Sequence, residues 1–251
     1  MLLYAILAAV LAIAAIFLTP LRYKVWTATA IIGLASISAI ALAVNTLTNG
    51  SMELMSFSTI FFGNESLGVD ALSSLFLVII AVASIATVIY SRGYVEGYLK
   101  RYSPAHISLH YTALVTLVVS MMAVVLSSGG FSFLFSWEMM TIASFILILF
   151  EAERQDVRRA ALNYLVMMHI GFMLLVVGFV MVYNTTGSAN FTAIVDYFKM
   201  AAPLPLFVIL FLGFGMKAGI FPMHIWLPEA HPAAPSHVSA IMSGVMIKTG
   251  V

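Results

Sequence analysis

Residues 71–90, "ALSSLFLVIIAVASIATVIY", run without a single charge, and the chain repeats that kind of stretch from end to end. A helix needs roughly 20 apolar residues to cross a hydrocarbon core about 30 Å thick, where every backbone polar group must be satisfied within the segment. Runs bounded by charge or turn formers fall at about 2–18, 25–46, 69–90, 109–127, 131–150, 161–183, 204–227 and 236–251. They predict an all-α, polytopic membrane protein of about eight spans. The short alternating strands of a transmembrane barrel are not seen. Composition agrees, with 63% hydrophobic and 8% charged residues, where a soluble domain carries about a quarter charged.

The charges that remain are unevenly placed. Alternate loops hold Arg22 and Lys24, then Arg92, Lys100 and Arg101, then Arg154, Arg158 and Arg159, while the opposite loops hold only Lys199. The positive-inside rule then puts these basic loops in the cytoplasm and the N-terminus outside, in the inner (cell) membrane. A loop position for Lys24 predicts that its replacement is nearly silent. The first run lacks a basic n-region and is followed by "RYK", which reads as a retained helix and not a cleaved signal. Segment 47–68 is polar with scattered aromatics and is expected to form an outer loop or hairpin. In "NFTAIVDYFKM" the residues Phe191, Ile194, Val195 and Phe198 fall at helical spacing, which suits a short interfacial helix or an ordered loop. The eighth span is only about 16 residues, or about 24 Å, when the sequence stops at Val251. The expected reading is the front part of a longer protein.

A net charge of +1 and the absence of any basic cluster argue against nucleic acid as a partner. With no cysteine, thiolate metal sites and iron–sulfur ligation are excluded, so an electron-transfer centre would sit on a partner. His224, His231 and His237 invite a metal or haem reading, but their spacing suits neither tetrahedral zinc nor opposed axial ligands. No cofactor and no metal are expected.

Ionisable residues inside a membrane cost a few kcal/mol unless paired or hydrated, and so mark candidate sites. Glu138 lies well inside the fifth run; it is either a functional acid or a helix-locking hydrogen-bond acceptor. Lys217 lies in "LFLGFGMKAGIFPMHIWLP", where Gly213, Gly215, Gly219 and Pro222 crowd one helix. Pro222 has no amide proton to give, so the helix is expected to kink or break there, freeing the carbonyl of Ala218. Lys248 falls near the middle of the eighth run. His169, in the sixth run, is a bridge between such groups or a packing residue. An ion pair of Glu138 with Lys217 at 4 Å would be worth roughly 4 kcal/mol at an effective dielectric of 20, enough to switch a buried lysine between protonation states.

The stretches "LGVDALSSLFLVI", "FLFSWEMMTIASFIL" and "GFGMKAGIFPMHIWLPEAHPAAPSHVSAIMSGVMIKTGV" resemble the antiporter-like membrane subunits of respiratory complex I, of multisubunit sodium/proton antiporters and of membrane-bound hydrogenases. The wording around "AHPAAPSHVSAIMSGVMIKTG" is most similar to the large antiporter-like subunit of hydrogenase-4 and formate hydrogenlyase complexes. The resemblance runs from about Leu67 to the end. It implies inverted five-helix repeats, with spans four to eight (109–251) as the first and residues 1–108 as a three-helix N-terminal segment. It also implies a proton pathway through Glu138, Lys217 and Lys248, with His169 a weaker carry-over. Other subunits of a hydrogenase-like or complex I-like assembly would be the partners. Sodium/proton antiport and a purely structural scaffold are the alternative expectations.

Overall fold

A computed structural model describes residues 2–250, with backbone only for 2–9. The chain is mostly helical: α1 (Leu2–Leu18), α2 (Lys24–Asn49), α3 (Ala71–Glu96), α4 (Pro104–Leu126), α5 (Gly130–Ile148), α6 (Gln155–Thr186), α7 (Phe191–Met200), α8 (Pro203–Ala218), α9 (Leu227–Ala233) and α10 (Ser236–Gly244). Between α2 and α3 two strands, β1 (Met52–Thr59) and β2 (Gly63–Val69), pair as an antiparallel hairpin. The fold is the mostly helical one expected, and the segment read as loop or hairpin is a hairpin. Polar residues and the left-handed Gly63 let segment 52–69 turn back on itself, so its backbone satisfies itself across strands.

Among the described residues, α2 to α6 are the five helices long and apolar enough to cross a membrane. The chain is a multi-pass membrane protein, but three of the eight expected spans are shorter. The 17 residues of α1 make about 26 Å of helix. The seventh ends early at Ala218, and the eighth gives way after Gly244 to a 3-10 turn, Met246–Gly250. The segment expected as helix or loop after residue 190 is the helix α7.

Helix ends follow local chemistry. Asp70 caps α3 by accepting from the Ser73 amide at 2.7 Å, and Ser103 with Pro104 opens α4. α2 and α3 pack together, and each buries small side chains, Ala28, Ser36, Ala39 and Ala43 on α2 and Ser74, Ala81 and Ser84 on α3, which suits the close approach that membrane helices use in place of a hydrophobic drive. α4 and α5 are the inner pair, buried on most faces. α8 crosses α6 at Gly171 and Gly213, where an added Cβ on Gly171 would lie 3.0 Å from the Gly213 carbonyl.

The fold has two distinct ends. At one, the hairpin bridges to Ser127 through Leu67, and Gly129 bridges to Asn190, so the hairpin and the α4–α5 and α6–α7 links meet. At the other, Tyr98 donates to Glu151, Tyr102 to Glu153 at 2.8 Å, and Asn163 to Glu229 at 2.6 Å, tying two basic loops to each other and α6 to α9. Lys24 departs from its expected place in a solvated loop. It is 2% exposed, and its ammonium donates to the carbonyls of Ile16 at 2.9 Å and Phe17 at 3.2 Å, capping the end of α1.

Candidate functional site

Lys217 occupies the last turn of α8 and is 1% exposed. The helix stops one residue later because Gly219 takes the left-handed conformation, φ 69°, and closes the end by donating its amide to the Gly215 carbonyl. The Ile220 amide reaches the same carbonyl at 3.0 Å. The break therefore falls at Gly219, three residues before Pro222, and the glycine sets it. Pro222 lies in the following turn, exposed. The Trp226 indole donates to the Met216 carbonyl at 2.9 Å, so the chain folds back and satisfies a carbonyl that the break releases. A Cβ on Gly219 would stand 2.4 Å from Leu227 Cδ1, and one on Gly215 would stand 2.7 Å from Met223 Cε.

The Lys217 ammonium donates to Thr141 Oγ1 at 2.9 Å and lies 4.9 Å from the centre of the Trp137 ring. Trp137 and Thr141 are one turn apart on α5, so a single face of that helix supplies a hydroxyl lone pair and a π face. The expected pairing of Lys217 with Glu138 is not formed. Glu138 follows Trp137, about 100° further round the helix, and so turns towards α6, where Oε1 meets His169 Nδ1 at 3.2 Å. That contact is off hydrogen-bond alignment, and both Glu138 oxygens are buried without a donor among the described residues. His169 is half exposed, in a groove with Leu165, Ile170 and Met173.

Lys248 is also placed differently from the expectation. Because α10 ends at Gly244, Lys248 sits in the 3-10 turn and donates to the Ser243 carbonyl at 2.8 Å, an exposed contact that caps the helix. Of the four expected pathway residues, the structure joins Glu138 with His169 and leaves Lys217 and Lys248 each on its own partner.

Sequence reasoning missed Thr141 and Trp137, whose only signal was their i, i+4 spacing beside Glu138. It also missed Glu65 in the hairpin, 2% exposed, which accepts from the Phe131 amide at 3.1 Å, the Ser132 amide at 3.3 Å and the Ser132 hydroxyl at 3.0 Å. Glu65 thus caps the first turn of the helix that carries Trp137, Glu138 and Thr141.

Residues 107–251 match the family model described as NADH:quinone oxidoreductase/Mrp antiporter, transmembrane. The chain belongs to that family. It is 42% identical over 162 residues to an uncharacterized protein of Mycobacterium tuberculosis, covering 63% of this chain and 24% of that one. It is 31% identical over 195 residues to hydrogenase-4 component B of Escherichia coli, covering 76% and 28%. With the Staphylococcus aureus protein named antiporter subunit mnhA2 it shares 33% over 193 residues, covering 75% and 23%. The chain thus spans about a quarter of the length of these relatives. Among solved structures, 97% of it superposes on an archaeal membrane-bound sulfane sulfur reductase (TM-score 0.78, 24% identity, 38% of that chain) and on the Mrp complex of Dietzia sp. DQ12-45-1b (0.79, 18%, 45%). These two likenesses show the fold: that of the membrane subunits in such multi-subunit assemblies.

Proposed function

We propose that the protein carries protons through the membrane as part of an antiporter-like subunit in a hydrogenase-like or complex I-like assembly, with Lys217 as the proton carrier. The observation that carries this reading is a lysine buried to 1% at the broken end of α8, held by a hydroxyl and a ring and, among the described residues, bonded to no carboxylate. A buried lysine that lacks a bound anion has a low cost of switching between ammonium and amine, and its long stem lets the nitrogen move between partners. Thr141 serves both states, since its oxygen accepts from the ammonium and its proton can be given to the amine. Glu138 and His169 meet one helix face away, with Glu138 near enough to Lys217 for their charges to interact. A proton passing from that pair through water to Lys217, and onward to Lys248, gives the path its order. Spans four to eight then form the first of two inverted repeats, the basic loops are cytoplasmic, and redox chemistry belongs to partner subunits.

Sodium/proton exchange is the second reading, favoured by the likeness to the mnhA2 protein and to the Mrp fold. The deciding experiment uses the full-length protein in its complex, in sealed vesicles energised through the partner subunits, with assembly checked on native gels. Lys217→Ala and Lys217→Arg are both expected to abolish coupled proton uptake, because a guanidinium stays charged at any working pH. Normal uptake by Lys217→Arg would overturn the carrier role and leave a fixed charge. Uptake that requires added sodium would favour exchange.

A further inference from the structure

His110, two turns into α4, and His237, at the start of α10, face each other with their Nε2 atoms 2.9 Å apart and their rings nearly perpendicular. Both are buried, at 3% and 1% exposure. Two imidazole nitrogens at that distance share one proton: one Nε2 carries hydrogen and donates, and the other offers its lone pair. The remaining nitrogen of each ring, Nδ1, is buried and has no hydrogen-bond partner among the described residues. A histidine pair kept only for packing would have these atoms anchored. His106, one turn earlier on α4, shows the anchored case, with its Nε2 donating to the Phe150 carbonyl at 2.9 Å. Around the pair stand Tyr94 from α3, edge-on to His237 at 5.3 Å, Tyr111 from α4, and the Phe150 ring at 4.7 Å from His110. Further out, the Tyr98–Glu151 and Tyr102–Glu153 bonds and Arg101 line the basic end.

We propose that His110 and His237 form a two-imidazole relay that admits protons from the basic end of the fold towards Lys217. This rests on the reading of Lys217 as a proton carrier. In one pass, a proton binds the free Nδ1 of the ring whose Nε2 carries hydrogen. That Nε2 proton moves to the other ring's Nε2, and the second ring releases its Nδ1 proton on the far side. One proton enters, one leaves, and each ring ends in the opposite tautomer, so the relay passes a single proton and then needs both rings to turn or re-tautomerise. Onward groups lie along α5. Six residues before Phe150, about 9 Å along the helix, Ser144 joins the Tyr164 hydroxyl at 2.6 Å and the Thr141 carbonyl at 3.0 Å, and Thr141 holds Lys217.

The test compares His110→Gln, His237→Gln, the double variant and Lys217→Ala in the energised vesicles described above. Glutamine keeps a side-chain hydrogen bond in the gap and cannot pass a proton through itself. The expected result is a loss of proton uptake of tenfold or more in either single variant and no further loss in the double one, with the complex assembled. In His237→Gly, millimolar imidazole is expected to restore uptake, which a packing role would not give. Loss in Lys217→Ala with full uptake in the double histidine variant would overturn the relay and leave the carrier reading standing. Full uptake in both would overturn the two together. Nitrogen-15 spectra of the histidine-labelled full-length protein give an independent check, with one Nδ1-protonated and one Nε2-protonated ring expected; two identical tautomers would overturn the shared proton.

Discussion

Lys24 and Lys217 are buried to nearly the same degree and are satisfied by different groups. Lys24 meets two carbonyls at the end of α1 and has no freedom to exchange partners, so its role is to hold the turn between α1 and α2. Its replacement, expected from the sequence to be nearly silent in proton uptake, removes charge-assisted hydrogen bonds that are worth about 1.5–3 kcal/mol each. Lys24→Ala should therefore lower the melting temperature in detergent by several degrees while leaving the turnover of assembled complex unchanged. Thermal unfolding followed by intrinsic fluorescence checks this. The sequence showed that Lys217 and Glu138 lie in apolar runs, but it did not show which way each points. The rotation of about 100° between residues 137 and 138 turns the tryptophan to the lysine and the glutamate to His169.

At the scale of elements, the break in α8 depends on Gly219. Alanine there would adopt a left-handed conformation that costs about 1–2 kcal/mol and would press on Leu227 at 2.4 Å. Gly219→Ala is expected to reduce assembly and to cut proton uptake per assembled complex, read on native gels and in vesicles. The loops at the basic end are held by Tyr102 and Glu153, and this latch responds to pH. The Tyr102 hydroxyl holds the Glu153 carboxyl below its ordinary 4.5, while burial and the Glu153 bond push Tyr102 up to about 12. A depressed carboxyl stabilises above its unfolded value and loses that contribution as pH falls through the folded one. A raised phenol stabilises below its unfolded value of 10 and loses that contribution as pH rises through about 12. The loop 97–103 should thus exchange its amides faster, after correction for intrinsic rates, as pH falls below the ordinary carboxyl value of 4.5 and as it rises towards about 12, and Tyr102→Phe should weaken both limbs, with the Tyr98–Glu151 bond still holding the loop. Span positions for α2 to α6 were legible because a run of apolar residues fixes a helix by length alone. The ends of α8 and α10 were not, since hydropathy continues across Gly219 and Gly244 while the backbone stops. Segment 47–68 reads in sequence as loop or hairpin alike, and its buried Glu65 as one more surface acid.

For the whole molecule, the two ends differ in charge and in architecture, basic loops and aromatic contacts at one, hairpin and α7 at the other. If the basic end is cytoplasmic, a single cysteine at position 155 should resist a membrane-impermeant thiol reagent in intact cells and react in inverted vesicles, whereas one at position 64 should do the reverse. Labelling of position 155 from outside would invert the assignment. The hairpin has a mechanical consequence as well. Glu65 holds the first turn of α5, and His106 holds the Phe150 carbonyl just past its last turn. A helix fastened at both ends cannot piston or rotate without breaking one of these bonds, so α5 is a stator, and in the proposed proton path any travel at the Thr141 contact falls to the Lys217 side chain. Moving the Lys217 nitrogen off Thr141 would then take rotation of one side chain and no shift of this helix.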